Sequence, residues 1–142
     1  MADLSVVADA VAIVYRPDLA KIWPGIAEEA ITPGQTVYQT STGTWGVADG
    51  NASGKFQLRG IALKKAGSKG QAIDILVEGY VAGFDLSSLA YDAQVFLSDT
   101  AGKLADAAGT HSVPCGRVVA IPDVPLLTKV LFFKADWINQ VS

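Results

Sequence analysis

The sequence predicts an all-β protein: a small barrel or sandwich built from two similar hairpin-plus-strand units, with an extended N-terminal arm. Three observations predict it. Turn signals recur at short spacing from residue 31 onward, apolar and polar residues alternate between them, and one pattern of strands and turns occurs twice. The 142 residues fit one domain, since domains run to roughly 100–200 residues. Half of those residues are hydrophobic and 18% are charged, a profile that excludes wholesale disorder. The net charge of −3 speaks against the basic stripe that nucleic-acid binding needs.

Residues 1–30 form a unit of their own, an N-terminal arm or strap. Tyr15, Ile22, Trp23 and the run Val11 to Val14 are apolar, while Pro17 and Pro24 limit any helix to about one turn. The segment either straps its own barrel or reaches onto a neighbouring subunit. In the second case Tyr15, Arg16, Ile22 and Trp23 are the candidate interface residues, because Trp, Tyr and Arg dominate interface hot spots. The start of the chain lacks a basic n-region, and Asp3 and Asp9 interrupt its apolar run, so a secretory signal is not expected. No stretch has the ~18–20 apolar residues of a membrane-spanning helix.

Residues 31–142 form the barrel or sandwich. Pro33-Gly34 introduces the strand TVYQT (36–40), and Gly43 turns it into TWGVAD (44–49). The loop Asp49-Gly50-Asn51 to Ser53-Gly54 leads to KFQLRGIAL (55–63), in which Phe56 and Leu58 alternate with Gln57 and Arg59. After Gly67 to Gly70 comes QAIDILVEGYV (71–81), where Ile73, Ile75 and Val77 alternate with Asp74, Leu76 and Glu78. Gly79 and Gly83 mark a bulge or bend. FDLSSLA (84–90) suffices for a single turn capped by Asp85 or Ser87. The run LLTKVLFFKADW (126–137), after Pro122 and Pro125, reads as a closing strand buried on both faces.

The repeat sets 31–63 against 89–121. Val37-Tyr38 lies over Val95-Phe96, Gly43 over Gly102, Ala48-Asp49 over Ala105-Asp106, and Gly60 over Gly116. Each copy is a hairpin plus a returning strand, too small to bury its apolar face alone. Two copies facing each other close a sheet and remove most free edges.

Catalytic and cofactor motifs fail one by one. Gly54-Lys55 and Gly102-Lys103 lack the first glycine and the hydroxyl residue of a phosphate loop. One histidine, His111, and one cysteine, Cys115, fall short of a zinc site or a disulfide, and Cys115 reads as a small apolar filler. Asp49, Asp99 and Asp106 sit beside turn residues, where an aspartate bonds its own backbone. Lys64, Lys65 and Lys69 form the only basic cluster, read as a solvated loop. Asn51-Ala52-Ser53 is a glycosylation acceptor only in a secreted chain. No catalytic residue, cofactor or metal is expected.

The second copy resembles a recurrent stretch of tailed-phage head decoration (capsid cement) proteins, through Asp92, Val95-Phe96-Leu97, Asp99 to Gly102, Thr110 and Gly116 to Ala120. QAIDILVEGYVAG is similar to that family's central strand. The resemblance implies a β-rich, non-enzymatic virion protein, often a homotrimer. It would be made in the host cytoplasm and seated on the outer capsid surface where major capsid subunits meet, clamping the expanded head. Neither nucleic acid nor membrane is an expected partner. A β-barrel recognition module binding carbohydrate on a virion or cell surface, through Trp45 and Tyr38, is the alternative.

Overall fold

The computed structural model describes residues 2–123 and 126–138. Pro125 and the tail from 139 lie outside them. The described chain is all-β, a curled antiparallel half-barrel without a helix of seven or more residues. Its strands are β1 (Ala12–Tyr15), β2 (Lys21–Ile26), β3 (Thr36–Gln39), β4 (Trp45–Val47), β5 (Gly60–Ala62), β6 (Ala72–Ala82), β7 (Gln94–Leu97), β8 (Leu104–Ala105), β9 (Pro114–Asp123) and β10 (Leu126–Lys134).

The sequence repeat has a direct structural counterpart. The sheet runs β4-β3-β5-β6-β10-β9-β7-β8, which reads the same from either end once β3–β6 is matched to β7–β10. In each unit the first strand pairs with the second and third, and the third pairs with the fourth; β6 against β10 joins the units. Val37 stands opposite Gly60, and Val95 opposite Gly116, so the equivalence of the two glycines holds in the strand register. The match of Ala48 to Ala105 does not. Tyr38 faces Gly46 while Phe96 faces Ala105, so Ala105 corresponds to Gly46, two residues earlier. Pairing partners fix register, and similarity of composition cannot see them.

The two hairpins then meet. The N–H of Gly102 donates to the Ala48 carbonyl (2.7 Å), that of Thr36 to the Gly102 carbonyl (3.2 Å), and that of Gly50 to the Ser98 carbonyl (3.0 Å). These backbone bonds tie the ends of the curled sheet together.

Two cores result. The larger takes Ile61, Leu76, Val81, Val95, Leu97, Leu104, Val118, Leu131 and Phe133 from β5 through β10. A smaller one holds Trp45, Ile73, Ile75, Val37 and Ala62, closed from outside by Ala27, Ile31 and Ala66. Strand β6 therefore lies between cores. Leu76, expected on the charged face of its strand, is fully buried in the larger core, while Ile73 and Ile75 serve the smaller one. A one-residue register slip opposite Lys21 and Ile22 accommodates Val77 and resets the alternation.

Two strand expectations change at the edges. Of 55–63 only Gly60–Ala62 forms a strand; residues 55–59 are irregular, with the N–H of Arg59 reaching the Val37 carbonyl (3.0 Å). The segment after β6 makes the single turn expected of it, with Ser87 donating through its N–H and Oγ to Asp85 (3.0 and 2.6 Å), after an isolated bridge from Phe84 to Val6. Strand β10 is not buried on both faces throughout: Leu131 and Phe133 are buried, but Leu126 and Leu127 are 73% and 62% exposed. The reason is reach. β9 pairs with β7 through residues 114–117, Val118 still exchanges backbone bonds with Asp92 and Ala93, and β10 pairs with β6 only through 131–134, so 119–123 and 126–130 have backbone pairing with each other alone. They form a two-stranded ribbon that projects past the sheet.

The first thirty residues lie along the sheet of their own chain. β1 and β2 both run antiparallel to β6, on the edge opposite β5 and β10: Ile75 pairs with Trp23 and Ala62, Tyr80 with Tyr15 and Phe132. Flanking residues cover the two terminal strands. The N–H of Leu4 donates to Leu104 on β8 (2.8 Å), and that of Glu28 to Trp45 on β4 (2.7 Å). Close passage explains Gly83, at φ +105°, whose carbonyl accepts from Val7 (2.8 Å) and where a Cβ would meet Val11 at 2.8 Å.

Candidate functional site: an apolar edge and groove

Once β1 and β2 have joined the sheet, several of their apolar side chains stay in solvent. Val14, Tyr15, Ile22, Trp23 and Ile26 are all exposed there, with Leu19 between the two strands. Contiguous exposed apolar surface on a folded domain marks an interaction site more often than chance scatter does.

Each interface residue expected from the sequence can be placed. Tyr15 stacks edge-on against Tyr80 (ring centroids 5.5 Å), and Tyr80 packs on Phe132 (5.3 Å), giving an aromatic row across β1, β6 and β10. Arg16 adopts a left-handed conformation (φ 47°) and forks onto Asp18, Nε to Oδ1 at 3.1 Å and an Nη to Oδ2 at 3.0 Å. That hydrogen-bonded pairing raises the Arg16 pKa and lowers that of Asp18. Arg16 thus serves its own turn. Ile22 and Trp23 stand on β2, 47% and 49% exposed. The structure brings Tyr15, Ile22 and Trp23 onto one edge and assigns Arg16 a local role.

Trp23 belongs to a cluster of all three tryptophans. Its ring meets Trp137 edge-on at 5.6 Å, and Trp137 packs on buried Trp45 at 5.9 Å. Trp137 is locked in turn: its Nε1 donates to the Arg59 carbonyl (2.7 Å), and Arg59 donates an Nη1 hydrogen to the Asp136 carbonyl (2.9 Å). Lys21, Ile22, Trp23, Val77 and Trp137 line an apolar groove of about 200 Å³. It opens onto a wider, more polar hollow where Lys21 and Lys134 approach Glu78 at 3.7 and 3.9 Å. With Asp136 also lining the hollow, its two lysines and two carboxylates balance in formal charge.

Sequence reasoning did not find Trp137 or the ribbon. The first looked like the end of a strand, and the second like a buried one. The signal for the ribbon was Pro122 within it, since proline favours an edge or free strand.

The remaining chemistry-bearing residues have structural occupations. Cys115 is buried, its Sγ donates toward the Val95 carbonyl (3.5 Å), and burial pushes the thiol well above its ordinary pKa, so no thiolate is available. His111 stacks flat on Phe56 (3.8 Å, 7°). Asp49 accepts from the N–H of Asn51 (3.0 Å), Asp99 from the N–H and hydroxyl of Thr110 (2.9 and 2.8 Å), and Asp106 from the N–H of Ala2 (2.8 Å). Lys64 pairs with Asp74 and Lys69 with Glu28, each at 3.0 Å. Glu28 also accepts from Thr44 (2.6 Å), and that bond, with Lys69, holds its carboxyl below the usual range. No group of three or more metal-ligating side chains exists among the described residues. Trp45 is 1% exposed, which removes it as a platform for a sugar.

No family model matches the chain, and neither a curated protein nor a solved structure matches it. No described helix is long and apolar enough to cross a membrane.

Proposed function

We propose that the chain is a structural protein of a phage head, a cement that binds the outside of the capsid where major capsid subunits meet and stabilises the expanded shell. It acts as a homotrimer, without enzymatic activity and without nucleic-acid or membrane partners. The observation that carries the reading is the exposed apolar edge of β1 and β2, adhesive surface on a body whose reactive side chains are already occupied. The resemblance of residues 31–121 to decoration proteins supports the same reading. Several modest apolar contacts made by one oligomer would combine, since linked contacts gain roughly 10²–10⁴ in avidity.

Co-sedimentation of the purified protein with capsids stripped of their cement tests this. Saturable binding is expected, weakened when the edge is made polar by Val14→Ser with Tyr15→Ser. Failure to bind capsids at any ratio would sink the proposal.

A further inference from the structure

Strand register lays a single row of side chains across the outer face of the sheet. Tyr15 on β1 stands opposite Tyr80 on β6, Tyr80 opposite Phe132 on β10, Phe132 opposite Arg117 on β9, and Arg117 opposite Gln94 on β7. Their neighbours along the strands, Val81, Phe133, Val118 and Val95, point into the larger core, which puts the row on the outside. Three rings, a guanidinium and a carboxamide thus follow one another over four interstrand steps, a strip roughly 19 Å long at about 4.8 Å per step. Lys21, Glu78 and Lys134 form a second row beside it, two residues along the same sheet. At the polar end, Gln94, Arg117, Phe132 and Lys134 line a depression of about 230 Å³. We infer that this strip binds a neutral oligosaccharide, its sugar rings laid on the aromatic half and its hydroxyls bonded by the polar half and the second row.

Three features select that ligand. The first is unspent bonding capacity: the Tyr15 and Tyr80 hydroxyls and the Gln94 carboxamide make no hydrogen bond among the described residues, and Arg117 commits only an Nη1 hydrogen, to the Asp92 carbonyl (2.7 Å). The second is charge. Arg16 pairs with Asp18, Lys21 and Lys134 face Glu78 and Asp136, and Arg117 faces Asp92, so four cations meet four carboxylates around the strip. A polyanion such as single-stranded nucleic acid needs a basic groove along its backbone, and an apolar partner would strip water from ions it cannot replace. A ligand that is uncharged, both donates and accepts through its hydroxyls, and sets apolar C–H faces on rings makes use of both halves. The third is access. In the first unit the leader covers the outer face and buries Trp45, whereas here Tyr15 is 38% exposed, Tyr80 and Phe132 are half-buried, and Arg117 and Gln94 are exposed. The strip is a further surface, additional to the capsid contact proposed above.

The test is isothermal titration calorimetry of the full chain with a panel of neutral hexasaccharides of glucose, galactose, mannose or N-acetylglucosamine, and with an oligothymidylate strand as the polyanion. Saturable binding of at least one hexasaccharide is expected, with an affinity that added salt leaves unchanged. Gln94→Ala with Arg117→Ala, both at exposed positions, should weaken it about 10-fold or more. Phe132→Ala, from the aromatic half, should act likewise, with circular dichroism to confirm that the variants are folded. Should Phe132→Ala fail to fold, the exposed pair decides alone. Absence of saturable binding by every hexasaccharide at millimolar concentration overturns the inference, as does binding that the folded variants leave unchanged, or oligothymidylate bound more tightly than every sugar. Capsid co-sedimentation is a separate measurement, so either proposal can fail alone.

Discussion

The two repeated units share a strand plan and differ in what covers them. In the first, β3–β6, the sheet is covered on both faces: Trp45, Ile73 and Ile75 point into a second core that Ala27 and Ile31 close. In the second, β7–β10, the outer face has no such cover, and its last two strands run on past the body as a ribbon. One topology thus yields a doubly packed half and a half with material to spare. The thirty-five residues before β3 make that difference, since they supply β2, Ala27 and Ile31.

Removing those residues should break the comparison most severely. Deletion of residues 1–24 takes away β1, most of β2 and the cover of β8 at Leu4, exposing an edge of β6 together with the larger core. The expected outcome is an aggregating or largely unfolded protein. A soluble product with a native circular dichroism spectrum and sharp melting would show that the leader is dispensable.

The next contrast sets the cores against each other. Phe133→Ala opens the larger core and Trp45→Ala the smaller, and each should cost about 3–5 kcal/mol in denaturant unfolding. If Trp45→Ala costs under about 1 kcal/mol, the second core is not a structural unit.

The paired glycines sharpen the comparison further. A Cβ on Gly116 would meet the Phe132 carbonyl oxygen at 2.5 Å; one on Gly60 would meet the Leu76 carbonyl oxygen at 2.8 Å and crowd the Ile75 side chain. Both positions bring a backbone against its neighbour, so Gly60→Ala and Gly116→Ala should each destabilise by about 1–3 kcal/mol. Equal melting temperatures for wild type and both variants would contradict that packing.

The smallest effect concerns acid. Glu28 links the leader to the first hairpin through Thr44 and to Lys69, and its carboxyl is held below the usual range. A lowered folded-state pKa gives stability that is present above the unfolded value and lost as pH falls through the folded one. Glu28→Gln should therefore lower stability slightly at neutral pH and flatten its decline in acid. Parallel pH–stability curves for variant and wild type would count against the linkage.

Turn chemistry and alternation made the strands legible in the sequence, and the repeat made the sheet legible. Asp49 bonds its own turn backbone, as its position predicts, whereas Asp99 and Asp106 accept instead from Thr110 and Ala2, far off in sequence. Burial on both faces was hidden, because Leu76 and Ile75 are adjacent in sequence yet enter different cores, which depends on where the leader lies. Exposure of Leu126 and Leu127 was hidden for the converse reason: an apolar run reads alike whether a strand crosses a core or overshoots it. Of the expected contact residues, Tyr15, Ile22 and Trp23 do reach the surface, whereas the fork between Arg16 and Asp18 depends on a local turn.

Strand β6 is the partner of β1, β2, β5 and β10, and this has a consequence in time. Trp23 leaves the ribosome about fifty residues before Ile75, the residue it will face. At ~5–20 residues per second that is a wait of several seconds, and closure against β10 comes later still. Through that interval the apolar leader has nowhere to settle, so the yield of folded protein should depend on translation speed and on chaperones that shelter nascent chains.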